Sequence, residues 1–311
     1  MRIVVMGAGG TGGYFGAKLA RAGEDVTFVA RGAHLAAIRE RGLRVKSAID
    51  GESVVAAAAA VERVDGLPPA DLVLFCVKSF DTETAARAIR PVVGERTGVL
   101  SIQNGVDNED AIARVVGPGH VLGGMAQVFT TIEAPGVIAH VLLGRIVFGE
   151  MEGADTDRAR AFLAACGRAG IPAEISGDVV RTLWEKYVYL VAQSAMTALT
   201  RCPAGLLRAL PETREMYRRI VEEMAALAGA VGAGLAPDYA EQCMKLLDSV
   251  GGGAYSSLHH DLVHGKRLEL DALQGHAVRL GERHRVPTPT LFAAYAALRP
   301  YLDGPPASAP R

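Results

Sequence analysis

The chain has 311 residues, half of them apolar and 22% charged, which is the composition of folded domains rather than of disorder. Lys and Arg number 33 against 34 Asp and Glu, a formal net charge of -1. No global positive field therefore exists to hold nucleic acid or an anionic membrane, although a local basic pocket for a small anion stays open. At about 150 residues per domain, the length predicts two domains.

Four cysteines, Cys76, Cys166, Cys202 and Cys243, lie too far apart for a Cys-x-x-Cys redox or zinc pair. Their scatter suits buried thiols in a reducing compartment and excludes the disulfide framework of a small secreted domain. No apolar run approaches the roughly 20 residues that span a bilayer. Met1-Arg2 and the apolar stretch after it superficially resemble a signal peptide. Glycines at 7, 9, 10, 12 and 13 break that stretch and no cleavage site is present after it, so it reads as structure in a cytoplasmic protein.

The first half alternates short apolar runs with amphipathic stretches. Strands are predicted at Ile3–Met6, Val26–Val29, Leu72–Val77 and Val99–Ile102, with helical stretches at Tyr14–Ala22, Leu35–Arg41 and Glu83–Val92. Apolar runs bounded by turns and separated by helices predict a parallel sheet buried on both faces. Val121–Thr130, Gly136–Leu142 and Arg145–Gly149 read as extended strands finishing the sheet, Ala154–Ala169 as a helix and Pro172–Ile175 as a last strand. From about Ser176 strand patterns vanish. Helices are predicted at Val179–Leu199, Thr213–Val231, Pro237–Leu247, Arg267–Arg283 and Pro289–Leu302, punctuated by Gly and Pro. The run Ala56–Ala60 is compositional, and no internal repeat is evident.

Gly7-Ala8-Gly9-Gly10-Thr11-Gly12 matches G-x-G-x-x-G, comes directly after the first strand and opens the first helix. In that setting Gly7 makes the tight turn, Gly9 admits a pyrophosphate close to backbone, and Gly12 lets helix pack on strand. The implied fold class is an α/β Rossmann-type N-terminal domain with a parallel-sheet core over residues 1–176. An all-α domain comes next over residues 177–303, for substrate and dimerisation, then a Pro- and Ala-rich disordered tail over 304–311. The second strand ends in Arg31-Gly32, where NAD-specific sites place an acid. A guanidinium cannot accept ribose hydroxyl protons but clamps a 2'-phosphate, which points to NADPH. The bland alternative is a solvated loop charge.

Lys78 succeeds one predicted strand and Asn104-Gly105 the next, so both lie at the carboxyl edge where a nicotinamide would sit. Taken singly, a surface lysine and an Asn-Gly turn explain them equally well. In the helical half, Lys186 lies among Trp184, Tyr187, Val188, Tyr189 and Leu190. Partial desolvation there would suit proton transfer; the rival reading is a lysine snorkelling to water. His259, His260 and His264 with Asp261 raise a metal site, but adjacent histidines point apart and no HExxH spacing exists. Glu269 falls on the helix predicted from Arg267, either on a solvated face or as a buried partner for a cation.

Together these residues resemble the ketopantoate reductase (2-dehydropantoate 2-reductase) family over nearly the whole chain. The ordered set is Gly7-x-Gly9-x-x-Gly12, Arg31, Val77-Lys78, Gln103-Asn104-Gly105, Pro135-Gly136, Gly149-Glu150, Trp184-x-Lys186, Ser256-Ser257-Leu258-x-x-Asp261, Glu269 and Pro287-Thr288-Pro289. The resemblance implies a Rossmann domain, a helical domain and a cleft between them. It implies NADPH-dependent reduction of ketopantoate to pantoate, on the route to pantothenate and CoA. Lys186 would be the general acid, Glu269 its partner and a substrate ligand, and Asn104 the residue that positions substrate beside the nicotinamide. Lys78 would contact cofactor or substrate, and Ser257 would donate to the substrate carboxylate. Together with the long amphipathic helices it leans towards a homodimer.

The sequence departs from that family at substrate-binding positions. Asparagines come one and two helical turns after the family's lysine, where this chain has Leu190 and Ser194. A further asparagine belongs in the turn Cys202-Pro203-Ala204-Gly205, where Ala204 stands. Lost hydrogen bonds cost discrimination, so a less polar 2-oxo acid or ketone is the alternative substrate. A 3-hydroxyacid dehydrogenase is the nearest enzyme rival; Arg31, Leu190 and the Ser257/Glu269 pair favour the reductase. A non-catalytic NADPH sensor would need the glycines and Arg31 but neither Lys186 nor Glu269.

Overall fold

A computed structural model describes residues 1–306. The chain divides into two compact units, Met1–Thr182 and a second that begins at Leu183. In chain order the first unit carries β1 (Arg2–Met6), α1 (Gly10–Arg21), β2 (Asp25–Val29), α2 (Gly32–Arg41), β3 (Leu43–Ser47), β4 (Gly51–Val55) and β5 (Ala59–Val61). Then come β6 (Leu72–Phe75), α3 (Thr82–Ile89), β7 (Gly98–Ser101), α4 (Asn108–Val116), β8 (Val121–Ala134), β9 (Val137–Glu150), α5 (Asp157–Arg168) and β10 (Ala173–Ile175).

The sheet runs β4-β3-β9-β8-β7-β6-β1-β2-β5, with β10 added beside β9. Strands β5, β2, β1, β6, β7 and β8 are all parallel, the Rossmann-type core. The chain goes from β1 to β2 on one side and returns to β6 on the other, so the order reverses at β1. Successive residues of one strand feed opposite cores. Ile3, Val5, Leu72 and Leu74 pack with Phe15 and Leu19 of α1 and Phe162 of α5. Val4, Met6, Val73 and Phe75 pack with Ala85, Ala86 and Ile89 of α3 and Ile112 of α4. Burial on both faces is why these strands read as unbroken apolar runs.

Three strands escape that pattern. β3 and β4 form an antiparallel pair whose outer residues are exposed, and β3 runs parallel to the start of β9, far along the chain. β5 lies in the alanine-rich run, beside β2. The two extended segments expected at Gly136–Leu142 and Arg145–Gly149 are one strand, β9, antiparallel to β8 with irregular register between Gln127 and Ala134. Leu143 (φ 64°) and Gly144 (φ 138°) mark the irregularity.

The second unit is helical. Helix α6 (Val179–Thr200) starts before its boundary; after it come α7 (Ala204–Ala209), α8 (Pro211–Ala230), α9 (Tyr239–Ser249), α10 (Ser257–Val263), α11 (Gln274–His284) and α12 (Pro289–Leu298). Pro211 and Pro289 open their helices, where a missing N–H costs nothing. The helix expected over Arg267–Arg283 begins only at Gln274, so Glu269 lies in the turn before α11 and not on a helix. The reason is packing. Leu268 and Leu270, two positions apart and so on opposite sides of any helix, are both buried with Leu258, Leu298 and Leu302, and Leu268 N–H donates to Leu302 O at 2.8 Å. Of the tail expected over 304–311, Gly304 donates to Tyr301 O at 3.1 Å, and residues 307–311 lie outside the described residues.

Candidate active site

Four parallel strands end in register. Met6 lies opposite Val29 and Phe75, and Phe75 opposite Ser101. The segments that leave these strands therefore collect along one sheet edge: Gly7–Gly12 after β1, Arg31 after β2, Lys78 after β6 and Asn104 after β7. Gly7 has φ +97°, and a Cβ there would stand 2.9 Å from Val77 Cγ1. At Gly12 a Cβ would stand 2.3 Å from Gly7 O, and at Gly10 it would stand 2.8 Å from Thr130 O. Gly9 differs: apart from Gly9 and its chain neighbours, nothing lies within 4 Å of its Cβ position. Gly9 also caps α1, whose first helical bond is Gly13 N–H to Gly9 O at 2.7 Å. The N–H groups of Gly10, Thr11 and Gly12 thus head the helix, with no acid in its first turn. Open space over Gly9 beside a row of helix N–H groups fits a pyrophosphate.

Arg31 is exposed and caps α2, again with no acid in the first turn. Three residues on, His34 reaches back under the glycine-rich turn. Its Nδ1 accepts Gly136 N–H at 3.0 Å, and its Nε2 lies 2.8 Å from Ala8 O. An N–H can only donate and a carbonyl can only accept, so the ring is the neutral Nε2–H tautomer. Burial lowers its pKa, and the bond to Ala8 only partly opposes this.

The loops after β6 and β7 are tied to each other. Gln103 Nε2 donates to Val77 O and to Thr82 Oγ1, both at 2.9 Å. The Thr82 hydroxyl lies 2.9 Å from Ser79 O and 3.2 Å from Asn108 Oδ1, and Asn108 Nδ2 donates to Asn104 O at 2.9 Å. Lys78, exposed, and Asn104, half-buried, are thereby set on one braced edge. Beside them Glu109 is 3% exposed, with neither carboxyl oxygen hydrogen-bonded. Burial pushes its pKa up to about 7, and the nearby charges of Asp107 and Asp110 add to the rise.

In the second unit α6 is the organising element. Lys186 and Leu190 are half-buried and Ser194 is fully buried, at successive turns of one face. The segment carrying Glu269 is stitched to α6. Tyr187 hydroxyl donates to Leu273 O at 2.6 Å, and Gln274 Nε2 donates to Val191 O at 3.1 Å and to Ser194 Oγ at 2.7 Å. Glu269 itself is 6% exposed. Ser256 caps α10 by accepting His259 N–H at 3.1 Å, and its Oγ lies 2.7 Å from Thr197 Oγ1 of α6. Ser257, exposed, is thus set at the start of α10. Ala204 is fully buried, its N–H donating to Ala254 O at 3.0 Å. Among the described residues no group of three His, Cys, Asp or Glu is able to hold a metal ion, and no helix is long and apolar enough to cross a membrane.

His34, Thr82, Asn108, Thr197 and Gln274 were not singled out by sequence reasoning. Each is a polar side chain whose partner is remote or on another element, and the only local signal for any of them is the Arg31-x-x-His34 spacing.

Two family models match the chain: "Ketopantoate reductase PanE/ApbA" over residues 3–153 and "Ketopantoate reductase PanE/ApbA C terminal" over residues 178–302. A 2-dehydropantoate 2-reductase of Mesorhizobium japonicum is 32% identical, over 96% of this chain and 97% of its own. The crystal structure of a PanE/ApbA family ketopantoate reductase from Ralstonia eutropha JMP134 has 34% identity and a TM-score of 0.88, covering 97% of this chain and 98% of that one. The 2-dehydropantoate 2-reductase of Geobacter metallireducens GS-15 has 32% identity and a TM-score of 0.90, covering 96% and 99%.

Proposed function

The chain belongs to the ketopantoate reductase family, and from that premise we propose that this oxidoreductase reduces a 2-oxo acid with NADPH, by default 2-dehydropantoate to pantoate for pantothenate and CoA synthesis. The single observation that carries the cofactor half is the open space over Gly9 at the head of α1. Arg31 at the head of α2, with no acid beside it, supports NADPH over NADH, because a guanidinium and a helix N-terminus both favour a 2'-phosphate.

Bound NADPH would supply a hydride to the carbonyl carbon. Negative charge then grows on the carbonyl oxygen. The Lys186 ammonium stabilises that charge and donates its proton to the oxygen, a role worth roughly 10²–10⁴-fold. Glu269, buried in the turn stitched to α6 at Leu273, orients the lysine and accepts from a substrate hydroxyl. Ser257 donates to the substrate carboxylate, and Asn104, braced through Asn108, holds substrate beside the nicotinamide. Lys78 completes the cationic edge for cofactor or substrate.

A specific observation favours a second substrate. The Ser194 hydroxyl accepts from Gln274 and donates to Val191 O at 3.3 Å, fully buried, and Ala204 is fully buried too. Of the three positions where relatives are expected to offer amides, Leu190 alone is left half-buried, and it is apolar. A less polar 2-oxo acid fits that face better than a hydroxylated one. The test is NADPH oxidation followed by absorbance across a panel of 2-oxo acids that includes ketopantoate. Strong turnover of ketopantoate supports the default; turnover confined to apolar acids supports the second substrate; NADPH binding without any turnover overturns both.

A further inference from the structure

The peptide between Ala8 and Gly9 decides whether the glycine-rich turn offers its N–H groups to a ligand. In a trans peptide the carbonyl of one residue and the N–H of the next point in opposite directions. Fixing the Ala8 carbonyl therefore fixes the Gly9 N–H on the opposite side. Glycine on one flank leaves that peptide unusually free to turn. Ala8 N–H is already held, donating to Val29 O at 3.0 Å. Its carbonyl is held by His34 Nε2 at 2.8 Å.

The other end of His34 is anchored as firmly. Nδ1 accepts Gly136 N–H at 3.0 Å, and the carbonyl of Gly136 accepts Arg44 N–H at 2.9 Å. Gly136 has φ +79°, and a Cβ there would stand 3.0 Å from Ala37 Cβ, so the turn between β8 and β9 lies against α2. The imidazole thus spans the glycine-rich turn, the first turn of α2 and the turn between β8 and β9.

We propose that His34 is a positioning residue for the dinucleotide: its neutral ring holds the Ala8 carbonyl so that the amides from Gly9 onward face the pyrophosphate. The proposal rests on the reading of the glycine-rich turn as a dinucleotide site. His34 touches backbone only, and its action on the cofactor is through the peptide it orients.

The experiment is NADPH titration of the full chain, followed by nicotinamide fluorescence, for wild type, His34→Ala, His34→Gln and His34→Asn, with steady-state kinetics beside it. His34→Ala is expected to raise the Kd and KM for NADPH about tenfold, about 1.4 kcal/mol, while kcat at saturating NADPH stays within about twofold. His34→Gln, whose amide is able to donate to Ala8 O, recovers at least half of the loss on that free-energy scale. A merely structural role would lower thermal stability and the active fraction without moving the Kd of the folded protein. A His34→Ala Kd within about twofold of wild type overturns the inference alone, since the dinucleotide reading survives it. If wild type binds neither NADPH nor NADH, that reading falls and the inference with it. Should His34→Ala fail to fold, the other two variants decide. His34→Gln keeps the Ala8 bond and is to bind more tightly than His34→Asn, which is able to keep only the Gly136 bond; equal affinities overturn the proposal.

Discussion

The two units build their chemistry from different material. On the proposed reading the first works mainly through backbone, N–H groups at a helix head beside a left-handed glycine, delivered to one edge by strands that end in register, with the Arg31, Lys78 and Asn104 side chains on the same edge. The second presents side chains, Lys186, Ser257 and Glu269, drawn from a long helix, a short helix and a turn. A backbone site is shaped by what is missing at Cβ, so it tolerates little there and reads the part of a ligand that never varies. A side-chain site is rewritten by single substitutions. On the proposed reading, cofactor affinity rests on the first unit and proton transfer on the second.

The largest effect should come from the second unit. Lys186→Ala is expected to lower kcat/KM by roughly 10²–10⁴-fold, with the NADPH Kd unchanged within about twofold. Stopped turnover with intact dinucleotide binding would sharpen the contrast. An equal loss of NADPH affinity would break it, because a side chain of the helical unit would then be part of the cofactor site.

Next come two glycines that are close in sequence but glycine for different reasons. Gly12→Ala puts a methyl 2.3 Å from Gly7 O, a backbone atom that cannot swing aside. It should destabilise the fold by about 3 kcal/mol, the upper range for overpacking. Gly9→Val puts its Cβ where nothing lies within 4 Å and keeps an extended cap (φ -72°, ψ -161°) open to valine. Its melting temperature should match wild type while NADPH binds about a hundredfold more weakly, some 2.7 kcal/mol. Equal melting temperatures for the two variants would show that the close approach at Gly12 is relieved cheaply. Normal NADPH affinity in Gly9→Val would show that the space over Gly9 holds no part of the cofactor.

The same contrast explains how much was legible in the sequence. The parallel core was read because its strands are buried on both faces, and the glycine motif because backbone needs fall on neighbouring residues. β3 was missed because it is short, its outer residues are exposed, and one of its two partners, β9, is distant. The late start of α11 was missed because Leu270 continues the helical spacing of Leu273, Ala277 and Leu280 but packs with Leu268 in an extended turn against Leu298 and Leu302. Roles for Lys186, Ser257 and Glu269 came from resemblance, since no local spacing joins them. His34 stayed hidden because one of its two bonds spans 102 positions.

The smallest effect concerns a pair of buried glutamates, one in each unit. Glu269 is proposed to act on the substrate, whereas Glu109 lies beside the braced loops with its oxygens unbonded. Burial raises the Glu109 pKa from 4.5 to about 7. The sign comes from proton counting: between those values the folded chain keeps a proton that the unfolded chain has released. Stability is therefore fullest below pH 4.5, falls as pH rises towards 7, and loses nothing further from this group above that. Glu109→Gln keeps the shape and removes the titration, so it should stabilise the protein by about 3 kcal/mol at pH 8 and by almost nothing at pH 4. Urea unfolding at the two pH values measures this directly. An identical pH dependence in variant and wild type would mean that Glu109 finds a partner or water when it ionises. The first unit would then hold an ionised carboxylate at the same edge where it is proposed to hold an anionic cofactor, which counts against that placement.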